Sequence, residues 1–302
     1  MKAVVLKGYG GLDQLSYEDV ETPKPGVGEV LVKVAATSLN PVDWKLRVGE
    51  LKEVFPLQFP AILGRDLAGE VAELGSGVTS LKVGDRVMAL ANNTYAEYVV
   101  AKAEDLTRIP EGLTFERAAA LPLVALTGAA LFEQGVKLKG GQSLLVTGAV
   151  GGVGRTAAYV AGTHHVQVIA VVRASQLVEA ESMGTLAVVA LDDEQGLAKF
   201  QDIDGVADTV GHDVALSMLK HLRHGGMFAS VVGIPKEIAD YDIRAEMVQV
   251  KPDAGRLAEL AEDFAEGRFE IPIVKTLKLS EIREAHRLGE AGGLGGKIVL
   301  TV

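Results

Sequence analysis

The densest chemical signal in the chain is the run Gly148-Ala149-Val150-Gly151-Gly152-Val153-Gly154, which lies between an apolar β-type run and a helix-type segment. Read from Ala149, it is the pattern G-x-G-x-x-G with alanine in the first place. Glycines at this spacing allow a tight turn, let backbone N–H groups approach a pyrophosphate, and let the following helix pack closely on the strand. Arg173 stands roughly 20 residues beyond Gly154, the separation at which a ribose-contacting side chain is expected. No Asp or Glu occurs from Val166 to Val178, and Arg173 and Ser175 instead offer a cation and a hydroxyl to a 2′-phosphate. The loop Ala149, Val150, Gly151, Gly152, Val153 and Gly154, with Arg173 and Ser175, therefore reads as a site for NADPH in preference to NADH.

Other chemistries are excluded by what is missing. The chain has no cysteine, so disulfides, thiolate nucleophiles, iron–sulfur clusters and cysteine-ligated zinc are out of reach. The formal net charge is −10, and acidic and basic residues alternate along the chain, which argues against nucleic acid as a partner. The apolar uncharged stretch Ala118 to Phe132 is shorter than the ~20 residues of a membrane span and contains Pro122 and Gly128. No secretory pattern opens the sequence, so no membrane partner and a cytoplasmic location are expected. His221 and His224 imitate ligand spacing, but both read as ends of a helix where cations suit the dipole. No hydrolase, zinc-protease or Walker pattern occurs.

The elements that must position the loop follow from the patterning. Residues 1–110 carry short β-rich runs punctuated by glycine and proline: Ala3–Leu6, Val30–Val34, Glu70–Leu74, Arg86–Leu90 and Tyr95–Val100. They predict a small barrel or sandwich. Near Thr114 the rhythm changes, with Thr114 as N-cap of a long helix that opens a new domain. Strand Ser143–Thr147, helix Gly152–Ala161, strand Val166–Val172, a helix from Ser175 and strand Ala187–Leu191 then alternate. Further strands are expected at Val206–Val210 and Met227–Val232, with Asp213–His221 helical between them. Such alternation predicts a parallel sheet covered on both faces. An amphipathic helix after Pro252, a helix near Glu281–Glu290 and a strand Lys297–Val302 close the chain.

The ordered motifs resemble those of the medium-chain dehydrogenase/reductase superfamily, specifically its zinc-independent NADPH:quinone oxidoreductase branch. The resemblance is carried by Met1–Gly10, Glu29–Val34, Leu39–Lys45, Gly64–Val71, Val83–Val87, Tyr95–Tyr98, Ala119–Pro122, the glycine loop, Asp208–Gly211 and Gly296–Leu300. It implies an α/β fold: a β-rich GroES-like catalytic domain, here residues 1–118 with 251–302, plus a Rossmann doubly wound parallel-sheet domain, residues 119–250. It also implies a homodimer, expected through an edge strand near Met247–Val250.

The resemblance sets Asn40, Arg65 and Leu123 where metal ligands stand in zinc-dependent relatives, and these residues do not make a zinc site. Without metal, a conjugated acceptor such as a quinone is implied, since its negative charge delocalises as hydride arrives. Reduction of an enone or 2-alkenal, or NADPH binding without catalysis, are the alternatives. Asn40 is expected to donate to a developing oxyanion while its side-chain oxygen caps the helix at Pro41. Asp43 is expected to position water or fix Lys45, itself a candidate electrophile. Thr127, Val210, Val232 and Gly233 are expected at the nicotinamide side of the cofactor, and Lys297 near its pyrophosphate. Thr127 bonding back to its own helix, and Lys297 solvated at the surface, are the competing expectations.

Overall fold

The β-rich runs form two sheets in the computed structural model, which describes residues 1–302. A three-stranded sheet orders Leu15–Asp19, Lys2–Leu6 and Ala61–Ile62. A seven-stranded sheet runs Ile273–Lys278, Lys297–Thr301, Glu29–Ser38, Asp66–Leu74, Arg86–Leu90 and Thr107–Arg108, with Tyr98–Lys102 also paired to Glu29–Ser38. On that long strand Val30, Val32 and Val34 repeat with the period of two that puts alternate residues on one face. They share a buried cluster with Leu67, Val71, Val87 and Val99. The last strand, Lys297–Thr301, lies antiparallel to the Thr37 region and parallel to Ile273–Lys278. Residues from both ends of the chain thus complete one sheet, and Met1–Leu123 with Lys251–Val302 form one unit.

Thr114 does cap a helix, accepting from the Arg117 N–H at 3.3 Å, but that helix is only Phe115–Ala119. A new one starts at Pro122, whose fixed φ suits a first turn and whose missing N–H cannot continue an earlier helix. The single long helix expected from Thr114 is therefore two, and the first stays with the β-rich unit. Helix Ala254–Ala265 starts at Asp253, which accepts from Arg256 N–H at 2.8 Å. It buries Leu257, Leu260, Ala261 and Phe264, one face of an amphipathic helix.

Val124–Val250 form the second unit. Its six strands are ordered Ala187–Ala190, Gln167–Val172, Ser143–Thr147, Ile203–Asp208, Leu222–Ser230, Arg244–Met247, all parallel. Ser143–Thr147 and Gln167–Val172 are buried almost throughout, which is why they read as unbroken apolar runs. From Ser143–Thr147 the chain winds outward one way, then returns to wind the other way from Ile203–Asp208. The topological switch lies between these two strands, where open α/β sheets bind ligands at the carboxyl ends. The edge strand is Arg244–Met247, three residues earlier than the apolar run Met247–Val250 suggested. Its side chains are all exposed, the charged Arg244 and Glu246 among them.

Candidate functional site

The glycine loop leaves strand Ser143–Thr147 and enters the 12-residue helix Gly152–Thr163. A Cβ on Gly154 would sit 2.4 Å from the Gly148 carbonyl oxygen, so only glycine lets helix and loop approach this closely. The Arg155 N–H reaches the Gly151 carbonyl at 2.8 Å, whereas the N–H groups of Gly152, Val153 and Gly154 meet no carbonyl. These are the unsatisfied donors of a helix N-terminus, at the positive end of its dipole. Gly151 above them is exposed. A dinucleotide pyrophosphate fits this donor set. Ala149 and Val150 are buried, and the Ala149 N–H points at the Val171 carbonyl, so these two shape the turn.

Arg155, which the sequence reading passed over, braces the loop from beneath. Its Nε donates to the Val150 carbonyl at 2.8 Å and its guanidinium pairs with Glu179 on the next helix, Leu177–Glu181. Arg173 and Ser175 follow strand Gln167–Val172, both exposed, and the Arg173 guanidinium has no protein partner.

At the switch, Asp208 is fully buried and accepts from Thr147 Oγ1 (2.8 Å), Ser230 Oγ (2.8 Å), Val210 N–H (3.2 Å) and Gly211 N–H (3.1 Å). It ties three adjacent strand ends together. Ser230 Oγ in turn accepts from the N–H groups of Val232 and Gly233 at 3.1 and 3.2 Å. The backbone contact expected from Val232 and Gly233 is thus narrowed to their carbonyls, because their amides are spent internally. Val210 keeps its side chain 39% exposed. Thr127, buried in helix Pro122–Ala130, does not bond back to its own helix; its hydroxyl has no protein partner.

In the β-rich unit the chemistry centres on Asp66, which begins strand Asp66–Leu74 and is fully buried. Its Oδ1 accepts the Leu123 N–H at 2.7 Å. Its Oδ2 accepts from Ser38 Oγ, from Asn40 Nδ2 at 2.7 Å and from Lys297 Nζ at 3.2 Å. The Lys297 ammonium, 7% exposed, also donates to Asn40 Oδ1 at 2.5 Å and to the Leu39 carbonyl at 3.2 Å. A buried ammonium needs such partners, because leaving it unpaired costs several kcal/mol, on the order of the desolvation penalty of an ion. Two expectations are corrected here. Asn40 has both ends of its amide engaged and is fully buried, so it offers no free NH₂ to an oxyanion. Lys297 is an internal counter-ion rather than a pyrophosphate ligand or a surface lysine.

Asn40 precedes helix Pro41–Val48, but its side chain does not cap it. Instead Asp43, three residues on, accepts the Asn40 N–H at 2.8 Å. The same Asp43 oxygen accepts from the buried Tyr95 hydroxyl at 2.8 Å, while its Oδ1 is buried without a partner. Burial pushes the Asp43 carboxyl up to about 6, against the pull of these two donors. Asp43 makes no bond to Lys45, which is half-buried and unpaired, so the suggested coupling of the two is absent. One turn further, buried Arg47 donates through Nε to His286 Nδ1 (3.3 Å), through one terminal nitrogen to the Gly10 carbonyl (2.7 Å) and through the other to Glu290. Burial and this neighbouring cation hold His286 down at about 3. Its Nε2 has no partner.

The other histidines do not gather. His221 lies just beyond helix His212–Leu219, buried, with Nδ1 near the Phe200 carbonyl and Gln201. His224 is not at a helix end at all: it sits on strand Leu222–Ser230, exposed beside Asp242. Asn40 and Leu123 do meet at Asp66, through a side-chain amide and a backbone N–H, and Arg65 adjoins Asp66 in the chain. With the Lys297 ammonium among them, this donor set does not fit zinc. Asp66 was invisible as a hub in the sequence, since Ser38, Leu123 and Lys297 stand far from it in the chain.

Residues 26–111 match the family model of the alcohol dehydrogenase GroES-like domain, and residues 183–300 match that of the zinc-binding dehydrogenases. Over 99% of the chain and 98% of the relative, the sequence is 31% identical to a chloroplast envelope quinone oxidoreductase homolog of Arabidopsis thaliana. The structure of the quinone oxidoreductase from Coxiella burnetii superposes with a TM-score of 0.91 at 32% identity, covering 100% of this chain and 99% of that one. A mycobacterial protein solved in complex with NADPH covers 100% of both chains with a TM-score of 0.88 at 26% identity. A GroES-like unit, a six-stranded parallel Rossmann unit and end-to-end likeness to these proteins make the chain a member of the medium-chain dehydrogenase/reductase superfamily, an oxidoreductase among the quinone oxidoreductase homologues.

Proposed function

We propose that this oxidoreductase is NADPH-dependent and reduces a quinone without a metal ion. The observation that carries the cofactor half is the pairing of three free helix-terminal N–H groups, at Gly152, Val153 and Gly154, with the unpartnered guanidinium of Arg173 at the end of the neighbouring strand. The amides hold the pyrophosphate, and Arg173 with Ser175 holds the 2′-phosphate. Val210, the carbonyls of Val232 and Gly233, and the unpartnered Thr127 hydroxyl serve the nicotinamide side. When bound, the cofactor supplies a hydride from C4 of its reduced nicotinamide. Within the β-rich unit the Asp66–Asn40–Lys297 network ties strand, helix and C-terminal segment together without offering a nucleophile or a general acid. Proton delivery falls to solvent, which a quinone tolerates and an isolated ketone does not.

The printed names of the Arabidopsis and Coxiella relatives support the quinone, and the NADPH complex of the mycobacterial relative supports the cofactor. No helix is long and apolar enough to cross a membrane. We take the working form to be a cytoplasmic homodimer, its acidic surface suiting that compartment and the unpaired side of Arg244–Met247 offering a ladder to a second copy.

The test is direct titration. Arg173→Ala is expected to weaken NADPH binding about 10- to 100-fold, the loss of a charge-assisted hydrogen bond worth roughly 1.5–3 kcal/mol, and to leave NADH unchanged. Equal affinity of the unaltered protein for both nucleotides would overturn the NADPH assignment. A quinone and an enone assayed side by side rank the two acceptor classes. Tight binding with no oxidation of NADPH by either would mean a binding protein.

A further inference from the structure

Within the Rossmann unit, one side chain ties the glycine loop to the segment that follows the next strand. Arg155 comes directly after Gly154 in the first turn of helix Gly152–Thr163 and is 8% exposed. Its Nε donates to the Val150 carbonyl at 2.8 Å, and a terminal nitrogen of the same guanidinium donates to Glu179 Oε1. The Glu179 carboxylate on helix Leu177–Glu181 is thereby set within one guanidinium's width of the loop that carries the free N–H groups. The turn Ala174–Gln176 runs without a break into that helix, so Ser175 and Glu179, four residues apart, fall one turn from each other on one face.

A carboxylate thus stands where phosphates are to bind. It is the first acid on this segment, since none occurs from Val166 to Val178. Left bare, its charge would repel a 2′-phosphate beside Ser175 and would suit a ribose hydroxyl in need of an acceptor. Arg155 cancels that charge. The guanidinium is buried, always protonated and held at Nε by the loop's own carbonyl, so it stays on Glu179 instead of swinging into solvent. With Glu179 so occupied, the exposed Arg173 guanidinium is left without a protein partner and free for an incoming anion.

We infer that Arg155 is a specificity-determining residue of the nucleotide site, acting through Glu179: by neutralising that carboxylate it admits the 2′-phosphate of NADPH and denies the ribose hydroxyls of NADH an acceptor. The inference rests on the NADPH reading of Arg173 and Ser175 and adds to it a positioning residue that works through another side chain.

The experiment titrates the full chain with NADPH and with NADH, no hydride acceptor being present. It compares unaltered protein, Arg155→Gln, Arg155→Lys and the double variant Arg155→Gln/Glu179→Gln. The readout is the ratio of the two dissociation constants, in which any effect of the loop on the pyrophosphate common to both nucleotides cancels. Arg155→Gln keeps a donor for the Val150 carbonyl but removes the charge opposite Glu179. It is expected to move the ratio toward NADH about 10-fold, the effect of one like charge near a partly exposed phosphate. Arg155→Lys and the double variant should bring the ratio back to that of the unaltered protein. Equal losses for both nucleotides in Arg155→Gln would leave the residue a brace of the loop and overturn the inference. So would a shifted ratio that Glu179→Gln fails to restore. Where Arg155→Gln does not fold, Glu179→Asp, a change at a half-exposed side chain, makes the same test: the shorter carboxylate leaves the guanidinium and keeps its charge, so the ratio should again move toward NADH, and an unmoved ratio overturns the inference. Unaltered protein with no preference for NADPH would sink the reading of Arg173, whereas the role of Arg155 is judged by the change in ratio between variants.

Discussion

Asp66 in the catalytic unit and Asp208 in the Rossmann unit are both fully buried, both at a strand end, and each accepts from four donors. Asp208 takes neutral donors only, two hydroxyls and two backbone N–H groups, from neighbouring strands and its own turn. Asp66 takes a hydroxyl, an amide, a backbone N–H and the ammonium of Lys297, which stands 231 residues away. The first hub stitches one sheet where a ligand is expected to rest. The second holds a buried ion pair that joins the beginning, middle and end of the chain. The difference teaches that the Rossmann unit can build its site from local order, whereas the catalytic unit depends on long-range closure.

The largest effect should come from breaking the charged hub. Asp66→Asn strands the Lys297 ammonium and is expected to cost about 3–5 kcal/mol in urea unfolding, the range for a buried pair losing one partner. Adding Lys297→Met should recover most of that loss. A failure of the second change to help would mean that the two charges do not depend on one another.

Next comes pH. Asp43 is raised to about 6, so its stabilising contribution is complete below the ordinary carboxylate value and is lost as pH rises through 6. His286 is depressed to about 3, so its contribution is present above the ordinary imidazole value and is lost as pH falls through 3. Between about pH 4 and 6 the native state holds the Asp43 proton and the unfolded state holds the His286 proton, so their slopes cancel. His286→Gln should therefore make stability rise on acidification across this window, relative to the parent, and Asp43→Asn should make it fall. Each slope is expected to be about 1.4 kcal/mol per pH unit, read from urea midpoints at several pH values. Parallel curves for all three proteins would refute the assignment.

The neutral hub should be gentler to disturb. Asp208→Asn turns an NH₂ toward donors that need an acceptor, at a cost of about 1–3 kcal/mol for the unsatisfied groups. Thermal unfolding would check it, and a loss as large as that of Asp66→Asn would erase the distinction between the hubs. The smallest effect is expected from a metal chelator, which should leave turnover unchanged because a hydroxyl, an amide and an ammonium surround Asp66 in place of metal donors.

Much of the Rossmann unit was legible from residues alone. Ser143–Thr147 appears with the bounds read from its apolar run, and helix Gly152–Thr163 begins where the glycine pattern places it. Periodicity and glycine spacing are local, and they report which face of an element is covered. The misreadings lie where local signals compete. Pro122 divides the helix expected from Thr114, and the edge strand falls on charged Arg244–Met247 instead of the apolar residues after it. Asn40 before Pro41 carried every mark of a capping residue, yet its side chain turned to Lys297 and Asp66.

The sequence by itself determined the order of strands and helices, the nucleotide loop with Arg173 beyond it, and the lack of cysteine chemistry, because each follows from residue type and short-range spacing. Only the tertiary structure decided which buried donor meets which acceptor: Lys297 with Asp66, Tyr95 with Asp43, Arg47 with His286, and Arg65 with nothing. The physical reason is that a buried polar group takes whatever partner closure of the fold brings within about 3 Å, and that distance is set by packing between segments far apart in the chain rather than by any near neighbour in it.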